Sequence, residues 1–378
     1  LAANTTGTNG VAVGCGALKS NTEGGCNVAV GRISLQDNTT GANNVAIGAS
    51  ALQTNTTASD NVAIGKSALT ATTTGCRNVA IGSQALICNT ADNNVAVGFC
   101  ALKTNSSGAN NTAVGRFALV FNQTGATNTA VGQNSLHSNT TAADNTAVGA
   151  ASLYANTTGA NNVAIGRQAL VANTTGAANT AIGCGALDAN TTASNNIAVG
   201  TNALGANTTG EVNTAVGTAS MATNTTGFGN TAVGKNSLYT NNGNNNTAVG
   251  HEALELNTSG ASNVAVGRQA LEANTTGANN TALGCGALAA NTTASSNTSL
   301  GRNSLFANQT GCCNTANGMG ALTANQSGDN NVAVGVLALG ANIGADNNTA
   351  VGFCSLQANT SGSQNTALGS ISLCAGTT

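Results

Sequence analysis

Proline and tryptophan are absent from these 378 residues, and charge is scarce. Lys+Arg number 10 and Asp+Glu 12, together 6% of the chain, where a globular domain carries about 25%. Ten basic residues at a net charge of −2 speak against nucleic-acid binding, because there is too little to neutralise a phosphate backbone. No apolar run approaches the about 18 residues of a membrane-spanning helix, so no membrane insertion is expected. There is no G-x-S-x-G elbow, no P-loop, no complete G-x-G-x-x-G and no Asp-rich calcium loop. The two histidines, His137 and His251, stand seven repeats apart, and Glu252 with Glu255 reads as a solvated face. No enzyme, cofactor or metal is expected from such residues.

What the chain has instead is one line of text repeated end to end, cleanly seen in NVAIGRQALVANTTGA at 162–177. Taking the Gly after "AV" or "AI" as slot 0, 22 copies run from Gly14 to Gly369 at 17-residue intervals, except for two 16-residue steps ending at Gly98 and Gly250. Slot +4 is Leu in every copy but one, which has Met221; slot −2 is Ala in all but one, which has Ser299. Slot −3 is Val, Ile or Thr, and slot −1 is Val, Ile or Leu except for Asn317. Asn fills slot −4 in 21 copies and slot +7 in 20. No change of composition interrupts the series, so residues 1–378 read as a single continuous array.

Seventeen residues are too few for a helical-hairpin repeat of roughly 33 or more, and Gly with Asn/Thr clusters disfavours helix in every copy. Asn-Val-Ala-Ile is short, β-branched and bounded by Gly, which reads as a strand; Ala-Leu-x-x after the turn reads as a second one. The expectation is an all-β fold, a parallel β-solenoid or β-roll of about 22 coils with 17 residues each. Leu153, Leu170 and Leu187 belong to its core. Identical Asn stacked along the axis would bond amide to amide, one ladder through Asn162, Asn179 and Asn196 and another through Asn173, Asn190 and Asn207. Ala at slot −2, as in Ala164 and Ala181, is smaller than any solvent-facing position requires. Close packing of a second chain against it is one reading, and a narrow, Ala-lined solenoid interior is the other.

The texts NVAIG, NTAVG and NNVAIGRQAL resemble the head repeat of YadA-like trimeric autotransporter adhesins, and equally the NTAVG…AL…NTTG arrays of phage-type tail fibres. The resemblance covers nearly the whole chain. It implies a trimer of left-handed parallel β-rolls, with Val163 and Ile165 filling the protomer core and Ala164 facing the chain interface. The YadA-like period is shorter; here the extra residues lie in the Asn-Thr-Thr-Gly loop.

Seven of the ten basic residues share slot +1: Arg32, Lys66, Arg116, Arg167, Lys235, Arg268 and Arg302. They form a faintly basic edge, suited to solvation, lateral pairing or an anionic glycan. The eight aromatics avoid the core slots and read as singly exposed residues. Of the eleven cysteines, Cys76 and Cys88 form the best-placed pair for a disulfide. Asn-x-Ser/Thr sequons recur, among them Asn38, Asn55, Asn156, Asn173, Asn274 and Asn291, and would carry glycans in a eukaryotic secretory pathway. The function expected is structural: an extracellular fibre, filament or adhesin shaft at a cell or virion surface, whose partner is itself, as homotrimer or filament, together with host or surface glycans. One alternative is a receptor- or glycan-binding fibre with its specificity in other domains. Another is an ice-binding solenoid, for which Thr at slots +8 and +9 would have to form a flat outward array.

Overall fold

A computed structural model describes residues 3–374. The chain's contacts group it into two units, Leu1–Ala193 and Ser194–Thr378. The division falls within a repeat, between slots +10 and +11, at a point the sequence does not mark. Both units have the same design. Among the described residues each holds eleven three-residue strands and no helix: β1 (Val11–Val13) to β11 (Thr180–Ile182) in the first, β12 (Ile197–Val199) to β22 (Thr366–Leu368) in the second. The strands stack in parallel as a β-solenoid, one per coil, slot on slot. In the first unit Ala164 lies beside Ala147 of β9 (Thr146–Val148) and beside Ala181 of β11, as the middle residue of β10 (Val163–Ile165).

The Ala-Leu segment is not a second strand. It is a run of consecutive turns, because slots +2 and +4 both take left-handed backbone: φ is 61° at Gln168 and 52° at Leu170. Its amides still bond between coils, alternating in direction. Gln168 N–H donates to Ala150 of the preceding coil (3.0 Å) and Leu170 N–H to Ala186 of the following one (3.0 Å). The chain thus turns its corner without losing backbone pairing. Slot 0 is where glycine is obligatory. At Gly166 φ is +131°, and a Cβ there would stand 2.5 Å from the carbonyl oxygen of Gly183 in the next coil.

The core is the Leu row and the Ala row together. Leu153, Leu170 and Leu187 are fully buried, as expected from slot +4. The assignment of the strand's two faces needs correction. Ala164 and Ala181 are fully buried within a single chain and do not form an inter-chain surface, whereas Val163 is half-buried and Ile165 is 39% exposed. The coil is narrow: strand and Leu-bearing turn approach so closely that only a methyl group fits at slot −2. The larger Val and Ile alternate outward.

Two buried Asn ladders close the coil. At slot +7 each Nδ2 donates to Oδ1 of the Asn one coil earlier: Asn173 to Asn156 at 2.9 Å, Asn190 to Asn173 at 2.8 Å. At slot −4 the Oδ1 accepts the next Asn's backbone N–H, Asn162 receiving Asn179 at 2.9 Å, with the Asn179 amide at 3.2 Å from the same oxygen. Asn196 and Asn207 carry both ladders in the second unit, to Asn213 and Asn224 at 2.9 Å each. The ladders meet at slot +10: the carbonyl of Gly176 accepts from both Asn162 and Asn173, each at 2.9 Å.

Ala164→Lys should abolish cooperative folding of the surrounding coils, since it places an ammonium group where a methyl is fully enclosed. Val163→Lys should change stability by no more than about 0.5 kcal/mol. Thermal unfolding followed by circular dichroism checks both; equal tolerance of the two would contradict the facing described here.

Candidate functional site

Three surfaces carry the outward-facing chemistry. The first is the outer face of the strands. Slots −3 and −1 point away from the core in every strand of both units, and no charged residue occurs at either. Slot −3 mixes Val, Ile and Thr, while slot −1 is aliphatic apart from Asn317. Many of these side chains are more than a third exposed, among them Ile47, Ile81, Ile165 and Ile182 in the first unit and Ile197, Val233, Val264 and Leu283 in the second. Parallel sheets normally have both faces covered, so this uncovered face is unusual.

The second is the turn edge. All seven slot +1 bases, Arg32 through Arg302, are exposed. None is ion-paired: among the described residues Arg77 pairs with Asp92 (3.2 Å), and His251 lies against Glu252 (3.3 Å), an ion pair only when its ring is protonated. The aromatics here are not scattered. Phe99 packs edge-on against Phe117 with centroids 5.5 Å apart, Phe121 against His137 at 5.0 Å, and His137 stacks on Tyr154 at 4.7 Å. Arg116 lies 4.5 Å above the Phe117 ring. Burial pushes the His137 pKa down, so the ring is neutral at pH 7. Phe117, Phe121 and His137 line a cleft of about 290 Å³ together with Cys100, Lys103 and Val120. Cys100 is 3% exposed and burial raises its thiol pKa, with Lys103 and Arg116 acting in the opposite sense. The three packed pairs each join neighbouring coils 16 to 18 residues apart, with Phe117 and Phe121 sharing one coil, which is the signal that slot-by-slot reading overlooks.

The third surface is acidic and lies in the second unit. Carboxylate oxygens of Glu252, Glu255 and Glu272 all fall within 4.8 Å of one another, so Glu252 and Glu255 are not merely a solvated face. Gln269 donates to Glu252 (3.1 Å) and Asn236 to Glu255 (3.4 Å). Burial first, then the neighbouring carboxylates, raise the pKa of Glu255 and Glu272 above the ordinary 4.5. Among the described residues these three are the ones placed to offer oxygens to a hard cation.

Two further expectations are overturned. Cys76 and Cys88 are both free thiols. They lie five slots apart around the coil, and the backbone of Cys76 is paired with Asp92 (2.8 Å), not with the corner that carries Cys88. The sequon asparagines Asn38, Asn55, Asn156, Asn173, Asn274 and Asn291 are fully buried rungs of the slot +7 ladder, so their amides are closed to glycosylation in the folded chain. Asn38, for one, donates to Asn21 (2.7 Å) and to the Gly41 carbonyl (2.9 Å). The Thr that follows at slot +8 is engaged as well: Thr157 donates its hydroxyl to the carbonyl of Thr174 (3.0 Å).

Compared with known proteins, the chain matches no protein-family model, and no curated protein is significantly similar to it.

The slot +7 ladder has one interruption with a visible consequence. Thr72 replaces Asn and bonds forward to the Asn89 carbonyl (2.9 Å), leaving Asn55 Oδ1 buried with no hydrogen bond. Thr72→Asn should restore the rung and raise stability by about 1 kcal/mol, because an orphaned buried acceptor costs about 1–3 kcal/mol. Denaturant unfolding measures this, and a lower midpoint would contradict the assignment.

The Glu cluster gives a pH dependence. Glu255 and Glu272 hold their protons more tightly when folded than when unfolded, so their contribution is complete below about pH 4.5 and is lost as pH rises through the raised folded values. Glu252→Gln removes a common cause of both shifts. The variant, which also lacks the carboxylate facing His251 (3.3 Å), should gain on the parent as the pH rises from 4 to 8, by no more than about 1 kcal/mol. Melting curves at the two pH values decide it; a gap that is the same at both would rule out the coupling.

Proposed function

We propose that this chain is a structural, self-associating β-solenoid that serves as an extracellular fibre, filament or adhesin shaft at a cell or virion surface. The observation that carries the reading is the outer strand face: two rows of branched side chains on each unit, broken only at Asn317, without a single charge, open to solvent. Soluble sheet proteins guard such faces and edges with charges or cover them. Eleven strands per unit offer on the order of 1,000 Å², against about 800 Å² per partner in a stable interface. A second copy is the occupant that fits, because its rows have the same coil spacing and can interdigitate along their whole length. The resemblance to YadA-like head repeats supports association into a trimer but placed the Ala row at its interface; here the Val/Ile face is the one available, in a closed trimer or a laterally grown filament.

The same face favours one second reading. In the second unit eight of the eleven slot −3 residues are Thr, from Thr214 to Thr366, in a row beside slot −1 aliphatics. A regular outward Thr row is what an ice-binding solenoid needs. It differs from the array expected at slots +8 and +9, where the slot +8 hydroxyls are bonded to neighbouring backbone.

Light scattering on the purified chain should give a multiple of 36.3 kDa at micromolar concentration. Replacing Ile165 and Ile182 together by Lys should reduce it to monomer with an unchanged circular dichroism spectrum. A monodisperse monomer before any substitution refutes the self-association. Thermal hysteresis from that monomer would establish the ice-binding reading in its place.

A further inference from the structure

We infer that the aromatic cleft of the first unit is a binding site for a small aromatic carboxylate. The cleft is carried by the turn segments, not by the outer strand face, so it does not depend on self-association. Its walls are the rings of Phe117, Phe121 and His137 with the side chain of Val120. An apolar cavity of roughly 150 Å³ takes up benzene. At about 290 Å³ this cleft admits a fused two-ring group, in the edge-to-face contacts its aromatic walls already make with one another.

Charge selects the second half of the ligand. Lys103 lines the cleft, and Arg116 lies 4.5 Å above the Phe117 ring. Neither has a carboxylate partner among the ion pairs of the described residues. From residue 98 to residue 165 the sequence contains one acid, Asp144, and its carboxylate is bonded to Thr127 on the loop edge. One uncompensated cation, Lys103, therefore lines an apolar, ring-walled cleft, with a second, Arg116, against one of its rings, and a carboxylate on an aromatic ligand would meet both the apolar and the charged requirement.

A sugar acid fits less well, although it carries the same charge. The Thr104 hydroxyl is committed to the carbonyls of Val120 (2.9 Å) and Asn122 (3.2 Å), which leaves the cleft floor almost without groups to replace the water around sugar hydroxyls. His137 Nδ1 is turned to Ser138 (3.3 Å).

The test uses the full chain and three probes followed by saturation-transfer NMR and titration: 2-naphthoate, neutral 2-naphthol and glucuronate. Naphthoate should bind, naphthol about tenfold more weakly, and glucuronate not measurably. Lys103→Gln should weaken naphthoate about tenfold and leave naphthol unchanged, while Phe121→Ala should weaken both. The two substitutions lie at slots +5 and +6, where other coils carry many residue types, and an unchanged circular dichroism spectrum confirms folding. The inference is overturned if naphthoate does not bind, if naphthoate and naphthol bind alike, if glucuronate binds better than naphthoate, or if Lys103→Gln has no effect on naphthoate.

Discussion

Within either unit, no coil can satisfy its own backbone. Most amides donate to a coil before or after it, as Gly166 does to Val148 and Leu170 to Ala186, while those at slots +3 and +7 close on a carbonyl of their own coil, as Ala169 does on Gly166. Identical slots must therefore lie above one another, and identity of sequence follows from that geometry. Glycine at slot 0 is imposed by its neighbour, since the missing Cβ of Gly166 is the space taken by the carbonyl of Gly183. Asparagine is imposed in the same way. One planar amide gives its hydrogens along the ladder and to the slot +10 carbonyl while its oxygen receives the next rung. Serine or threonine lacks the second hydrogen, and aspartate lacks both.

The cross-brace at slot +10 explains why such a small coil tolerates so many buried polar groups. Fully buried Asn side chains outnumber any other buried polar type here, and an unpaired amide would cost about 1–3 kcal/mol. Each is paired twice or more, and the two ladders share an acceptor, so displacing one rung disturbs the other. The Leu row and the Ala row fill what remains. This is a core of small volume per coil, made adequate by repetition rather than by size.

What the sequence disclosed and what it withheld follow from the same geometry. Rows were legible wherever one residue type fills a slot: the Gly, Leu and Asn rows gave the solenoid, its period and both ladders. The facing of the strand was legible only as two alternatives for the Ala row: the narrow, Ala-lined interior is the one the structure has, while the resemblance, which put Val163 and Ile165 in the core and Ala164 at a chain interface, gave the opposite facing. The narrow cross-section reverses this, and sequence carries no direct measure of width. The second strand was misread because left-handed backbone at Leu170 has no signature in a residue that rarely adopts it. That same bend brings slot +2 beside slot +6 of its own coil and slot +5 of the next, which is why Phe117, Phe121 and His137 converge although their slots differ. The sequons misled for a simpler reason: Asn-Thr-Thr is the text of a buried rung followed by a hydroxyl that caps the next backbone.

The 22 coils are, in effect, 22 trials of each slot in nearly one environment. Outward slots should vary freely, and slots +1, +2, +5 and +6 do, holding charged, polar, aromatic and small residues. Slots −3 and −1 also face outward, yet they do not vary in that way. Strand propensity accounts for part of the restriction, since β-branched residues suit a pleated sheet. It does not account for the difference between the two rows. Threonine is as good a strand residue as valine and is common at slot −3, but it never appears at slot −1 in any coil. A solvent-facing position has no reason to refuse a hydroxyl 22 times while its neighbour two residues away accepts one. A position pressed against apolar surface does, because each buried hydroxyl would need a partner the opposing face does not offer. The slot −1 row therefore has, Asn317 apart, the composition of an interior although it lies outside the single chain, and that contrast is the compositional support for the self-association proposed above.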